Sequence, residues 1–213
     1  MKITIVYDNE ATRAELRTGW GFSALVENAG APPLLFDTGA DGSVLSHNMN
    51  QLGIDPRDIG AIVISHAHGD HTGGLPEVLR VNQTAELYVP ASFRRASPER
   101  SVTVVTESIR IRGNIFSTGE LEGIEQSLVL RTDKGIFVLT GCAHPGIKTI
   151  LAAAAKLGEI YGIAGGFHGF RDFDALRGLS SICPCHCTTH KQAIRNLFED
   201  RALECGAGLV IEL

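Results

Sequence analysis

The stretch ISHAHGDHTGGL, residues 64–75, sets three histidines and an aspartate within six positions: His66, His68, Asp70 and His71. One such histidine alone reads as part of a polar surface turn. The group reads as metal chemistry. Histidines at i and i+2 on an extended segment project to the same side, so His66 and His68 can share an ion. Gly69 permits a tight turn, after which Asp70 and His71 can face a second ion. Imidazole nitrogen and carboxylate oxygen suit zinc, with iron and manganese as alternatives. Two-ion hydrolytic sites hold their cations roughly 3.5–4 Å apart and generate a hydroxide near neutral pH.

The elements that must position this loop follow from apolar periodicity. Residues 61–65 form a continuous apolar run, as in a strand covered on both faces, and GGLPEVLR behind the loop opens a helix. Lys2–Tyr7 alternates as a strand, residues 19–27 form a second, and 34–36 a third running into DTG. A helix is expected over 41–53. Strands follow at 86–90, 102–105, 108–112 and 114–117, then a hairpin of 126–131 and 136–140 around TDKG. The later rhythm alternates: helix 147–157, strand 159–164, short helix 173–179, strand 181–184, helix 189–200 and a final strand in GLVIEL. This pattern, without an internal linker, predicts a single α/β (α+β) domain over 1–213 with two sheets flanked by helices.

Composition narrows the class. Hydrophobic content of 44% and charged content of 20% exclude wholesale disorder. A net charge of −5 argues against a generic nucleic-acid partner. No run approaches the ~18 apolar residues of a membrane span, and MKITIVYDNE lacks the apolar core of a signal peptide. Five cysteines, three of them in CPCHC, do not read as a disulfide framework, so a reducing cytoplasm is expected. Arg94, Arg95, Arg100, Arg110 and Arg112 read singly as solvated surface and together as a means of attracting an anionic substrate.

SHAHGDH fits the H-x-H-x-D-H signature, and the chain resembles the metallo-β-lactamase superfamily. FDTG, with Asp37, resembles that superfamily's first motif, where the aspartate supports the metal loop rather than binding metal. The resemblance implies an αββα sandwich of two mixed sheets with the metals at one edge. GFSALVE, EQSLVL, TGCAHPGI, GGFH and PCHCT occur in the order of a branch labelled by dihydropterin–ribofuranosylaminobenzene phosphate synthase.

The chain departs from the common pattern twice. Where a third-motif histidine usually precedes the hairpin stand Glu122, Gly123, Ile124, Glu125 and Gln126. Where a bridging aspartate usually follows it stands Cys142. His144 is expected to replace the missing ligand, joining His66 and His68. Cys142 is either a ligand or an inert buried thiol, and Glu125 is a further carboxylate that could enter the site. His186 occupies the family's last ligand position, on the second ion with Asp70 and His71. Cys183, Cys185 and Cys187 alternate with it, and a strand would point all three away from His186, as packing residues or as a zinc site. His168 is the candidate for substrate contact or proton transfer, whereas His47 and His190 read as plain helix residues.

The resulting expectation is a hydrolase with two divalent ions whose metal-bound hydroxide attacks an ester, lactam or phosphoester of an anionic small molecule, with Asp70 orienting it. The alternative is a synthase coupling a pterin pyrophosphate to an arylamine. A diiron redox or oxygen-handling protein is a third reading, opposed by His68, where such proteins carry a glutamate. The short segment 91–118 leaves the site open or completed by a second subunit.

Overall fold

The structure, a computed structural model, describes residues 1–94 and 101–213, so Arg95 and Arg100 lie outside the described residues. Among these residues, thirteen strands form two mixed sheets. The first sheet contains β1 (Lys2–Tyr7), β2 (Ser23–Glu27), β3 (Leu34–Phe36), β4 (Ala61–Val63), β5 (Glu86–Pro90), β6 (Val102–Val105) and β13 (Val210–Glu212), in the order β13-β1-β2-β3-β4-β5-β6. The second contains β7 (Ile109–Arg112), β8 (Ile115–Ser117), β9 (Leu128–Thr132), β10 (Gly135–Thr140), β11 (Ile160–Gly166) and β12 (Ser181–Cys185), in the order β12-β11-β10-β9-β8-β7. Pairing is parallel from β3 through β6 and from β10 through β12, and antiparallel elsewhere.

Period-two alternation explains the layering. Ile3, Ile5, Leu34, Phe36, Val63, Leu128, Leu130, Phe137 and Leu139 form the core between the sheets. Their strand neighbours Val6, Leu35 and Ile62 turn outward onto α1 (Gly42–Gln51) and α3 (Leu75–Val81), through Leu45, Met49, Leu75 and Val78. On the other side, Val129, Val138, Ile163 and Ile182 meet Ile147, Ile150 and Ala154 of α4 (Ile147–Ala155) and Ile194 of α5 (Lys191–Leu197). The result is the αββα sandwich. No helix among the described residues is long and apolar enough to cross a membrane.

Several boundaries move for local reasons. The second strand begins at Ser23 rather than 19, because Gly21 (φ +155) brings the chain against the histidine loop. There a Cβ would lie 2.6 Å from the Asp70 carbonyl oxygen. That oxygen also accepts from Phe22 N–H at 3.2 Å. The region expected as a helix over 173–179 is one 3₁₀ turn, Phe173–Leu176, and α5 is shorter than the expected 189–200. A short helix, α2 (Gly69–Thr72), lies within the histidine loop itself, where no helix was expected.

The cysteines need a larger correction. Cys185 is disulfide-bonded to Cys205, where the sequence reads it as a packing residue or part of a zinc site; residues 201–203 run beside Ile182 of β12 and bring the two cysteines together. Cys183 and Cys185 do face the core between the sheets, as alternation requires. Cys187 does not join them.

Phe137 is fully buried between the sheets. Phe137→Ala is expected to destabilise the fold by about 3–5 kcal/mol, read as a lower urea midpoint. An unchanged midpoint would argue against this packing.

Candidate metal centre

The candidate residues gather at one edge because the parallel strands all release their chain there. The DTG turn follows β3, the histidine loop β4, the Cys142–His144 loop β10, His168 β11 and His186 β12. Asp37, Ala143, His168 and His186 all have left-handed φ values, of 57°, 57°, 49° and 44°. Non-glycine residues held there cost on the order of 1–3 kcal/mol each and concentrate at functional sites. Here the packing of strand ends enforces them.

Asp37 is the buried anchor. Its Oδ1 accepts from Ser65 N–H at 2.7 Å, and its Oδ2 accepts from Ser65 Oγ at 2.6 Å and His71 Nδ1 at 2.7 Å. Because Ser65 Oγ donates to Asp37, it accepts from His66 Nδ1, 2.8 Å away. Both imidazoles therefore carry their proton on Nδ1 and turn an Nε2 lone pair into the site. Thr38 fastens the same turn to the loop, its N–H and Oγ1 both donating to the His71 carbonyl.

Two triads result. The donor atoms of His66, His68 and His144 lie within 4.8 Å of one another, as do those of Asp70, His71 and His186. His66 and His71, one from each triad, have ring centroids 4.1 Å apart. Asp70 Oδ2 lies 3.2 Å from His186 Nε2. His144 Nε2 is buried without a hydrogen-bond partner, and His186 Nε2, also buried, meets only the Asp70 carboxylate. The His186 ring is fixed from behind by Asn9 Oδ1, 3.0 Å from Nδ1, and its backbone N–H donates to Asp8 Oδ2 at 2.8 Å.

Burial and the neighbouring imidazoles of His71, His144 and His68 push His66 far down, so it stays neutral. Burial also holds His144 below the usual range. Burial opposes charge on His71, but the Asp37 carboxylate prevails and raises it. For Asp70, burial raises the carboxyl, but the His186 contact and the nearby His71 imidazole outweigh it and hold the group well below the usual carboxylate range.

Glu125 and Cys142, the two residues whose roles the sequence leaves open, have distinct surroundings. Glu125 is fully buried, and its oxygens are occupied by the protein. Oε1 accepts from the N–H groups of Gly141, Cys142 and Ala143 and from Thr140 Oγ1, and Oε2 accepts from His144 N–H, all within 2.9–3.1 Å. It shapes the loop that presents His144, with Oε2 4.0 Å from His66 Nδ1. Cys142 is in the site: Sγ lies 3.1 Å from His71 Nε2 and 3.3 Å from Cys187 Sγ. The sulfur–sulfur contact shared with Cys187, together with burial, pushes the Cys142 thiol up so that it keeps its proton, and the same contact lowers Cys187.

Cys187 at the site corrects the expectation that it faces away. β12 ends at Cys185, and the left-handed His186 breaks the alternation that period two assumes. Asp8 and Asn9 were also missed; their one signal was the abrupt polar turn in YDNE after β1.

His168 is exposed, its ring 5.2 Å from that of His144, beside a cleft of about 350 Å³ lined by His144, Ile147, Phe167 and Phe170. Trp20, 62% exposed, lies 5.0 Å from the His186 ring. Arg112 does not face the site. It bonds the Gly60 carbonyl and Glu86 at the opposite end of β4. His47 is an α1 residue bonded to the Glu15 carbonyl, and His190 caps α5 against Phe173.

The family model described as the metallo-beta-lactamase superfamily matches residues 19–154. The chain is 26% identical to 7,8-dihydropterin-6-methyl-4-(beta-D-ribofuranosyl)-aminobenzene-5'-phosphate synthase of Methanocaldococcus jannaschii, covering 86% of this chain and 85% of that protein. Among solved structures it is similar to Tm1679, described as a metal-dependent hydrolase of the beta-lactamase superfamily. The identity is 28% and the TM-score 0.76, over 100% of this chain and 99% of that one. YhfI from Bacillus subtilis, a metallo-beta-lactamase fold protein, shares the fold at 13% identity and a TM-score of 0.64, over 99% and 98% of the two chains.

Glu125→Gln turns one half of the carboxylate into a donor facing loop N–H groups. In metal-free protein it is expected to cost about 2 kcal/mol or more, measured by urea denaturation. Wild-type stability would mean that the carboxylate does not hold the loop.

Proposed function

The chain belongs to the metallo-beta-lactamase superfamily, and from that footing we propose that it is a hydrolase dependent on two divalent ions. Its substrate is an ester, lactam or phosphoester of an anionic small molecule. One observation carries the reading: two donor triads meet at His66 and His71, and the buried Nε2 of His144 has no hydrogen-bond partner in the protein. A buried polar atom left unpaired costs roughly 1–3 kcal/mol, and a cation at the triads removes that cost. The donors fit zinc first, then iron or manganese. His66, His68 and His144 hold one ion; Asp70, His71 and His186 hold the other. Bound there, the pair supplies Lewis acidity and a water acidified toward neutral pH.

The chain's own groups do the rest. Asp37 and Ser65 fix which nitrogen of His66 and His71 faces inward. Asp70, kept ionised and only partly buried, accepts a hydrogen bond from the attacking water and aims its lone pair at the substrate. His168, exposed at the cleft beside His144, meets an anionic oxygen of the substrate and passes a proton to the leaving group.

A second reading has its own support. The relative from Methanocaldococcus jannaschii is named as a synthase and matches most of both chains. In that case the same centre serves a condensation in which an arylamine, rather than water, displaces pyrophosphate from a pterin. Incubation with a pterin pyrophosphate and an arylamine separates the two: coupled product favours the synthase, and hydrolysis alone favours the hydrolase.

His66→Ala is expected to lose both bound metal, by elemental analysis, and turnover of aryl ester and phosphoester substrates. A variant that retains either refutes the ligand assignment. His168→Ala should keep its metal while turnover falls on the order of 10²-fold; unchanged turnover would remove His168 from the reaction.

A further inference from the structure

The thiols around His186 have not been accounted for by the triads. Cys142 is 3% exposed, and its sulfur touches that of Cys187 at 3.3 Å. That contact is built. The left-handed turn at His186 swings Cys187 out of the β12 alternation, and Gly166 leaves room for its sulfur. A Cβ on Gly166 would lie 2.7 Å from Cys187 Sγ and 2.6 Å from the Gly141 carbonyl oxygen. Beside the two sulfurs, where β12 ends, is His186, only 2% exposed. Its Nδ1 is engaged by Asn9, and its buried Nε2 turns to the other side, where it meets only the Asp70 carboxylate at 3.2 Å. The donor atoms of Cys142, His186 and Cys187 lie within 4.8 Å of one another.

We propose that Cys142, His186 and Cys187 form a sulfur-lined seat for a soft divalent cation such as zinc or cadmium, overlapping the Asp70–His71–His186 triad and sharing its histidine. The proposal rests on the metal-dependent reading above. Zinc–sulfur bonds of about 2.3 Å in a tetrahedron set two sulfurs about 3.8 Å apart, so the observed pair needs only a small separation to accept an ion. Each thiol releases its proton to solvent as the cation takes its place. Hard cations such as manganese prefer carboxylate and imidazole, and soft ones prefer thiolate. One histidine thus serves two neighbouring seats, and the softness of the ion decides which is filled.

The test uses metal-free full-length protein kept in a phosphine reductant, its accessible thiols counted after unfolding. Cadmium and manganese are titrated separately. Wild-type protein is expected to develop a near-ultraviolet sulfur-to-cadmium absorption. Cys187→Ser and Cys142→Ser should each weaken cadmium binding about 10-fold or more, with a diminished band. Manganese affinity should change less than about 2-fold, because it uses the other donors. Cys183→Ser, in the separate buried cysteine group, should keep the band. Circular dichroism shows whether each variant is folded; because the reductant also frees Cys185 and Cys205 beside Cys183, a band lost in Cys183→Ser but kept in Cys187→Ser assigns the cadmium to that other group and overturns the seat. Cadmium bound with no sulfur band, or a band and affinity that survive Cys187→Ser, overturns the seat. Manganese binding without any sulfur band overturns the seat alone; no binding of either metal overturns both the seat and the two-ion reading.

Discussion

The carboxylate of Asp37, sealed beneath the histidine loop, is the constraint on which the rest of this centre depends. It receives three hydrogen bonds, from Ser65 N–H, Ser65 Oγ and His71 Nδ1, and through Ser65 it also orders His66. Remove its charge and the two buried imidazoles lose the reason to hold one tautomer. The cost of burying a carboxylate is high unless it is fully hydrogen-bonded, and the turn after β3 gives it those bonds. The left-handed backbone of Asp37 is part of the same arrangement, since it lets the carboxylate point back under β4.

Glu125 repeats that logic in the second sheet. Its carboxylate gathers the backbone amides after β10, and Gln126 next to it bonds the Ile64 carbonyl through its side chain and that of Ser65 through its N–H. The two sheets are therefore registered against each other by polar contacts at the edge, as well as by the apolar interior. His144 is presented on the loop that Glu125 shapes. A chain lacking the usual histidine ahead of the hairpin still completes a three-imidazole cluster from behind it.

Much of this was legible in the residues. The period-two strands, the layering and the convergence of His66, His68, His144, Asp70, His71 and His186 follow from apolar alternation and from the resemblance carried by SHAHGDH and FDTG. What was not legible has two physical causes: backbone departures that periodicity cannot encode, and contacts that only the tertiary structure creates. Cys187 was assigned to the wrong face because His186 leaves the strand with positive φ. Residues 19–22 were read as strand, whereas Gly21 bends them against the Asp70 carbonyl. Glu125 stands in the sequence as a carboxylate that could enter the site, and its part in shaping the loop rests on five neighbouring hydrogen-bond donors that only tertiary structure brings together. Asp8 and Asn9 are 178 and 177 positions from His186, and no local pattern signals that pairing.

That same separation bears on how the protein comes into being. A chain emerging from the ribosome exposes the early histidines long before β12 has been synthesised, and domains tend to consolidate as their segments appear. The Asp8 clasp on the strand end carrying His186 cannot close until nearly the whole polypeptide is available, and such distant contacts form slowly. The second triad is in this sense a proofreader of completeness: a truncated product keeps His66, His68, Asp70 and His71 but never assembles the place where the last imidazole belongs.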